Sequence, residues 1–461
     1  MRKSAAPAAI LCLTAGLFGA CNDSTGPETN REYFGSQVIP GPVNVLSAEV
    51  EVRAVGYDSV VLRYARAGED ARRTPAYAFG LDSIASPALL GLAASSFYTV
   101  EVILVGPDET VAETFETSTG ALPAWSPTVT PVGTDTTPGY LVLSIPDGPV
   151  IVDNQGTVVW YRTDPDPTLV NFQAHPSGGY TVFGLNAEIR AYSLLDELGR
   201  VTGQIECVGF GTRPHEIRVL PDGSALALCD DTRVEDLSPY GGSDSVPVTW
   251  TVIQKLSSDG TLEWDWFTAD HFELSDGPSD NFEGVETLNL THGNSIALDT
   301  DGNLLFSFRN LNEITKVEAA SGAVIWRFGG TQNEFTIVSD PKGSFERQHG
   351  LRVVSPGVIQ LLDNSNEAPS RLLRYEIDEG ARTATLLWEF IDGAGIHTLV
   401  GGSTQVYADG GALVSFGREG RVVELDEFGQ KRWELTGIDD LYVFRAQRIP
   451  SLYASERSVA P

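Results

Sequence analysis

Positive charge is scarce in this sequence. Lys and Arg total 31 against 62 Asp and Glu, a formal charge of -31 over 461 residues. Binding a polyanion depends on cations that displace its counterions, so a nucleic-acid partner is excluded. A small anion would need a few local cations, because the field of the whole molecule opposes it. Charged residues of all kinds make up only 20%, and there are 4 cysteines. What is abundant instead is apolar and turn-forming: hydrophobics reach 42%, with 47 Gly and 26 Pro. Such a chain buries a core yet interrupts it often, which suits short strands better than helices. At roughly 150 residues per domain the length suggests about three domains, although all-β folds often spend over 200 on one.

The apolar run Ala8 to Phe18 is too short to span a membrane as a helix, and it follows Arg2 and Lys3, so residues 1–20 read as an export signal. The run ends Leu17-Phe18-Gly19-Ala20-Cys21, which resembles the lipobox of bacterial lipoproteins, with Phe18 where Leu is usual. The resemblance implies lipidation of Cys21 and anchoring in the cell envelope, periplasmic or outer-membrane; simple secretion is the alternative. Residues 21–37 are expected to be a flexible tether. With Cys12 in the leader and Cys21 acylated, Cys207 and Cys229 remain. An oxidising compartment favours joining them, which would brace the segment around His215; two separate buried thiols are the alternative.

The mature chain divides near residue 122. In residues 38–121 apolar positions alternate with period two, as in Val50, Val52, Ala54, then Val60, Leu62, Tyr64, then Tyr98, Val100, Val102, Leu104. That is the mark of half-buried strands in a small β-sandwich. Leu92 six residues before Tyr98 and the closing Phe115 to Thr119 resemble a fibronectin type III domain, whose Tyr makes a corner hydrogen bond. Nothing in it looks catalytic, and it reads as a spacer or packing module.

Residues 122–461 repeat. A turn precedes a short strand ending in a large apolar residue six times: Gly156 before Trp160, Gly199 before Ile205, Gly260 before Trp264, Gly322 before Trp326, Ala384 before Trp388, Gly429 before Trp433. Spacings of about 45 to 62 residues built from strands and turns indicate propeller blades, so the expected fold is all-β, a six-bladed β-propeller behind the sandwich. The alternating Val443 to Ile449 is expected to close the first blade by pairing near Gly139 to Ile145.

Three repeats carry a hairpin at Pro221-Asp222-Gly223, Thr300-Asp301-Gly302 and Ser355-Pro356-Gly357. Eight residues before each Gly stand His215, Asn294 and His349. Equal offsets mean equal heights on the inner strands, so these side chains should ring one mouth of the central channel, with His292 on the strand face of Asn294. Arg309 returns to the same end of its blade, and Arg371 does so in the next; a guanidinium can hold two oxygens of a tetrahedral anion, or pair with an acid. His175, His271 and His397 read as solvated or structural.

Over residues 290–435 the strings His292-Gly293-Asn294-Ser295, Arg309, Trp326-Arg327-Phe328-Gly329-Gly330, Gln348-His349-Gly350, Leu362-Asp363-Asn364, Ser370-Arg371 and Trp433-Glu434 resemble the bacterial arylsulfate sulfotransferases. The resemblance implies a propeller with an N-terminal sandwich that moves a sulfuryl group between phenols without a nucleotide sulfate donor and without a cofactor. It implies His349 as the transiently sulfated nucleophile, His292, Asn294 and Arg309 holding the sulfuryl oxygens, and His215 as a further active-site imidazole. The chemistry is consistent: a neutral imidazole is a competent nucleophile near pH 7, and positioned donors stabilise a planar SO3 in transit as they do a phosphoryl group. An acid or base near neutrality would serve phenols of pKa about 10, a task suited to His215.

Two other classes are compatible with the residues. Three histidines at one mouth could ligate a metal in a hydrolase or lyase, although Arg309 beside a dication is unfavourable and no carboxylate shares the offset, so no metal is expected. A non-catalytic propeller could instead bind a ligand or partner at the cell surface. The expected partners are small aryl sulfates and phenols, with the membrane reached only through the lipid; a homodimer is left open.

Overall fold

The computed structural model describes residues 30–133, 135–163, 169–175, 178–184, 190–277, 282–438 and 441–457. The leader, Cys21 and most of the expected tether lie outside the described residues. Residues 32–37 are not tether, which corrects the sequence reading. Glu32–Pro40 is a strand paired antiparallel with Ala48–Val55 because Tyr33 and Val38 pack onto the sandwich core, so the first strand begins at Glu32 rather than at 38.

Two sheets form this N-terminal unit. One joins Glu32–Pro40, Ala48–Val55 and Ile84–Ala85; the other joins Arg72–Arg73, Ser59–Ala65, Phe97–Val105 and Glu109–Ser118. The period-two residues meet between them, with Val50, Val52, Val60, Leu62, Tyr98, Val100, Val102 and Leu104 all buried. The Tyr98 hydroxyl accepts the Ala93 N–H at 2.8 Å, fixing the corner that leads into its strand. The unit docks on the remainder of the chain: the Tyr64 and Tyr453 hydroxyls lie 3.2 Å apart, Tyr77 donates to Glu197 at 2.8 Å, and Arg200 pairs with Glu49 at 2.7 Å.

Six further sheets follow, and they are the blades of a propeller. Their innermost strands are Arg445–Ile449, Leu169–Ala174, Gly211–Val219, Gly293–Leu298, His349–Ser355 and Ser403–Val406, each next to the following one and the last next to the first. The repeated residues Trp160, Ile205, Trp264, Trp326, Trp388 and Trp433 all fall on the fourth strand from the axis. In each blade the pairing of that strand with the third contains a register shift. An extra residue there steepens the twist, so the blade turns away from its neighbour toward the rim. Large aromatic side chains fill the wedges between blades; Trp326, Phe328, Phe335, Phe345 and Tyr375 form one such cluster. Burial of each contributes about 2 kcal/mol or more.

Both ends of the propeller chain are stitched into other blades. Arg445–Ile449 pairs with Tyr140–Ser144 as the axial strand of the first blade, as its alternating pattern predicts. Thr130–Val132 pairs with Glu434–Thr436 on the outside of the last blade. Cys207 and Cys229 are joined, with Cα atoms 6.0 Å apart, tying the approach to the His215 strand onto its neighbour. Among the described residues no helix is long and apolar enough to cross a membrane.

Candidate active site

The shared offset of His215, Asn294 and His349 places them together: all three line one recess at the axis, with Ser295, Phe444 and Arg445. The recess is tight, with about 10 Å³ of free volume, room for roughly one water. His349 opens its strand at the edge of the fifth blade, and the chain around it is clamped. Gln348 is fully buried, and its amide nitrogen donates to Ser307 Oγ at 2.9 Å and to the Glu313 carbonyl at 3.0 Å. Its carbonyl accepts from Asn294 Nδ2 at 2.6 Å. Gly350 follows with φ +63, and a Cβ there would lie 2.7 Å from the Thr404 nitrogen. Only glycine lets the fifth and sixth blades approach this closely beside the imidazole.

The orientation of the His349 ring follows from its partners. Nδ1 lies 2.7 Å from Asn364 Oδ1 and 3.0 Å from the Arg347 carbonyl. The Asn364 amide nitrogen donates to the Thr398 and Gly401 carbonyls at 2.9 and 3.0 Å, so its oxygen must face the imidazole. Both atoms near Nδ1 are acceptors, so Nδ1 carries the hydrogen and Nε2 is left with its lone pair. Burial, with a smaller contribution from Arg309, pushes His349 down to about 4 despite the opposing hydrogen bond that Nδ1 donates to Asn364. The imidazole is therefore neutral at pH 7.

His215 and His292 form a pair, with Nε2 atoms 3.1 Å apart and rings meeting edge to face at 4.7 Å. Burial drives both well below the ordinary histidine value, and the guanidiniums of Arg213 and Arg309 add to the shift. His292 Nδ1 lies 3.2 Å from Asn289 Nδ2, while buried His215 Nδ1 has no partner among the described residues. The spacing predicts His292 on the strand face of Asn294, and the structure corrects this: His292 precedes the strand, which begins at Gly293. It sits just before the strand at φ 50, its carbonyl capped by the Arg309 N–H at 3.1 Å, because that turn aims the ring at His215. His292 therefore reaches the recess through His215. Asn294 uses Nδ2 to hold the Gln348 carbonyl, and its Oδ1 is buried without a partner among the described residues.

The two expected arginines part company. Arg309 is half-buried; it donates to Asn310 Oδ1 at 2.7 Å and to the Leu399 carbonyl at 3.1 Å, with no carboxylate in ion-pair range among the described residues. Burial, reinforced by Arg347, brings it down to about 10, and its charge acts on all three imidazoles. Arg371, expected to hold substrate, does not line the recess. It is fully buried between Asp340 at 2.8 Å, Asp363 at 2.9 Å and Glu389 at 3.0 Å, with the Ser344 carbonyl at 2.8 Å. With every donor engaged by acceptors inside the blade, no fork is left for a ligand.

The remaining histidines lie apart from this cluster. His271 stacks on Trp266 at 4.6 Å, His397 lies 3.3 Å from the Ser365 carbonyl, and burial lowers His175 to about 4. The group with metal-like spacing among the described residues is Asp299, Asp301 and Glu379, and Lys316 ion-pairs with all three. Sequence reasoning missed Asn364, Phe444 and Arg445 as site residues. Arg445 lies on the closing strand, whose pairing with the first blade is legible in the sequence.

Comparison with known proteins adds a family to this geometry. No curated protein sequence matches the chain significantly. Among solved structures, a protein of unknown function from Bacteroides caccae is similar at 13% identity, covering 66% of this chain and 97% of its own, with a TM-score of 0.42. Virginiamycin B lyase from Staphylococcus aureus is similar at 12% identity, covering 82% of this chain and 99% of its own, with a TM-score of 0.36. Residues 207–438 match the family described as Arylsulfotransferase (ASST). That stretch is half of the chain and carries His215, His292, Asn294, Arg309, His349 and Asn364, so the chain belongs to the arylsulfotransferase family and is a sulfotransferase.

Proposed function

We propose that the protein moves a sulfuryl group from an aryl sulfate to a phenol through a sulfohistidine on Nε2 of His349. The observation that carries this reading is the double acceptor environment of Nδ1, which leaves Nε2 as the one nitrogen of a neutral imidazole able to attack. In the first half, Nε2 forms a bond to sulfur as the sulfur to aryl-oxygen bond breaks, and the phenolate departs with the electron pair. The ring gains positive charge as it does so, and Asn364 and the Arg347 carbonyl stabilise it through the Nδ1 hydrogen. Arg309 supplies the uncompensated cation that attracts the sulfate ester into a chain of net charge -31. In the second half, the acceptor phenol gives its proton to His215 while its oxygen bonds to sulfur and the Nε2–S bond breaks, the electron pair returning to Nε2 of neutral His349; His215 then passes the proton to the released phenolate or to solvent. A sulfuryl group alongside raises the proton affinity of His215, which burial and then the nearby guanidiniums otherwise depress. The recess holds roughly one water, so the sulfuryl group sits at its mouth and the aryl ring lies farther out, toward Phe444 and Tyr442, whose rings meet edge to face at 5.8 Å.

Intact mass measurement after brief mixing with an aryl sulfate tests the intermediate. The parent is expected to gain one sulfuryl group and His349→Ala none, with transfer falling by at least roughly 1000-fold. Labelling of the variant at the parent's level would place the nucleophile elsewhere. The lipid anchor at Cys21 and an envelope location are part of the same proposal, checked by metabolic labelling with a fatty acid in the parent and in Cys21→Ala.

A further inference from the structure

The acidity of this protein is reversed at its axis. Along the six innermost strands there are five arginines, at 213, 218, 352, 445 and 448, and one acid, Glu216. Two of the cations are neutralised from strands farther out, Arg213 by Asp230 and Arg448 by Glu424. The other three surround Glu216, which is fully buried and lies 3.1 Å from Arg352 and 3.2 Å from Arg445. Arg218 has no hydrogen bond and no ion pair within range among the described residues, although its charge reaches Glu216 and Arg352. Three cations about one anion leave an excess of two positive charges, and an uncompensated charge in a poorly solvated place is costly.

We propose that this cluster is a binding site for a small divalent oxyanion of the sulfate or phosphate class, held on the propeller axis by Arg218, Arg352 and Arg445. The cluster adjoins the recess and shares Arg445 with it, but it contains none of the groups assigned to the transfer chemistry and does not depend on that reading. Two negative charges match the excess, and planar guanidiniums offer paired donors to tetrahedral oxygens. Burial and mutual repulsion lower Arg352 to about 10 and lower Arg218 as well, the strain such an anion would relieve. The three arginines stand on strands of the third, fifth and first blades, so a bound ion would pin together the strands that carry His215, His349 and the closure of the ring.

The test is thermal unfolding of the parent, Arg218→Gln and Arg309→Gln across a series of sodium sulfate concentrations, against sodium chloride at the same ionic strength. A ligand that binds only the native state raises the midpoint in proportion to its saturation. Sulfate is expected to stabilise the parent and Arg309→Gln alike, while Arg218→Gln needs at least roughly tenfold more sulfate for the same shift. Equal stabilisation by chloride, an undiminished response in Arg218→Gln, or loss of the response in Arg309→Gln alone would overturn the proposal. Should Arg218→Gln fail to fold, Glu216→Gln gives the converse: removal of the one acid is expected to tighten sulfate binding, and unchanged or weaker binding would overturn it.

Discussion

Arg309 and Arg371 occupy comparable return positions in successive blades, yet one keeps an uncompensated charge beside the imidazoles and the other is neutralised inside its blade. Arg371 meets three carboxylates contributed by the fifth blade and its approach, and its charge is consumed inside. Arg309 meets a carbonyl and an amide oxygen, which accept its hydrogens without cancelling its charge. Position in a repeat determines where a guanidinium begins; the acids within reach of its far end determine whether any charge is left to act on a ligand.

The contrast can be broken most sharply at Arg371. Arg371→Met strands Asp340 and Asp363 in the interior and is expected to cost about 3–5 kcal/mol of stability, read as a fall in the unfolding midpoint, while kcat per folded molecule stays near the parent's. A catalytic loss without a stability loss would erase the distinction. Arg309→Gln should show the opposite split: kcat/KM for an aryl sulfate falls roughly 100- to 1000-fold with the midpoint nearly unchanged. Next comes Asn364→Ala, which frees the His349 ring to rotate or change tautomer and is expected to lower transfer by roughly 10- to 100-fold. Partial recovery in Asn364→Asp, whose oxygen still accepts from Nδ1, would show that the effect runs through the hydrogen bond.

The smallest effect is on pH dependence. His349 is lowered to about 4, so kcat/KM of the parent should hold level down to about pH 5 and fall as the imidazole protonates near 4. Arg309 contributes to that lowering, so Arg309→Gln should move the acid limb upward, toward the ordinary histidine value. Stability changes over the same range with a defined sign. The unfolded chain takes up protons on these histidines near 6.5 while the folded chain refuses them until about 4, so folding weakens as pH falls between the two.

The ring of blades is legible in the sequence because each fourth strand ends in a large apolar residue after a turn, and period counting needs nothing else. The convergence of His215, Asn294 and His349 is legible for a related reason: equal distances from hairpin glycines survive folding as equal heights. What strand spacing does not carry is the course of the loops. His292 adopts a left-handed backbone, which defeats strand alternation, and Arg371 looks like a ligand until Asp340, 31 residues away, is seen beside it. Asn364 stands in the string Leu362-Asp363-Asn364, but its task depends on carbonyls at Thr398 and Gly401 that no local pattern reveals. The sandwich boundary shifts for a simpler reason: in this edge strand Gly35, Ser36 and Gln37 separate Tyr33 and Phe34 from Val38 and Ile39, and a register shift near Gly35 breaks the alternation, so it reads as linker until its partner strand is known.

The strand Arg445–Ile449 carries a consequence for the order of events during synthesis. It brings Arg445 to the recess and supplies the axial edge of the blade begun three hundred residues earlier, at Tyr140. A ribosome must therefore release residues 445–449 before the ring can shut, and until then His215 and His349 hang on an unfinished circle. Assembly of the reactive centre waits for a strand made long after the blade it completes.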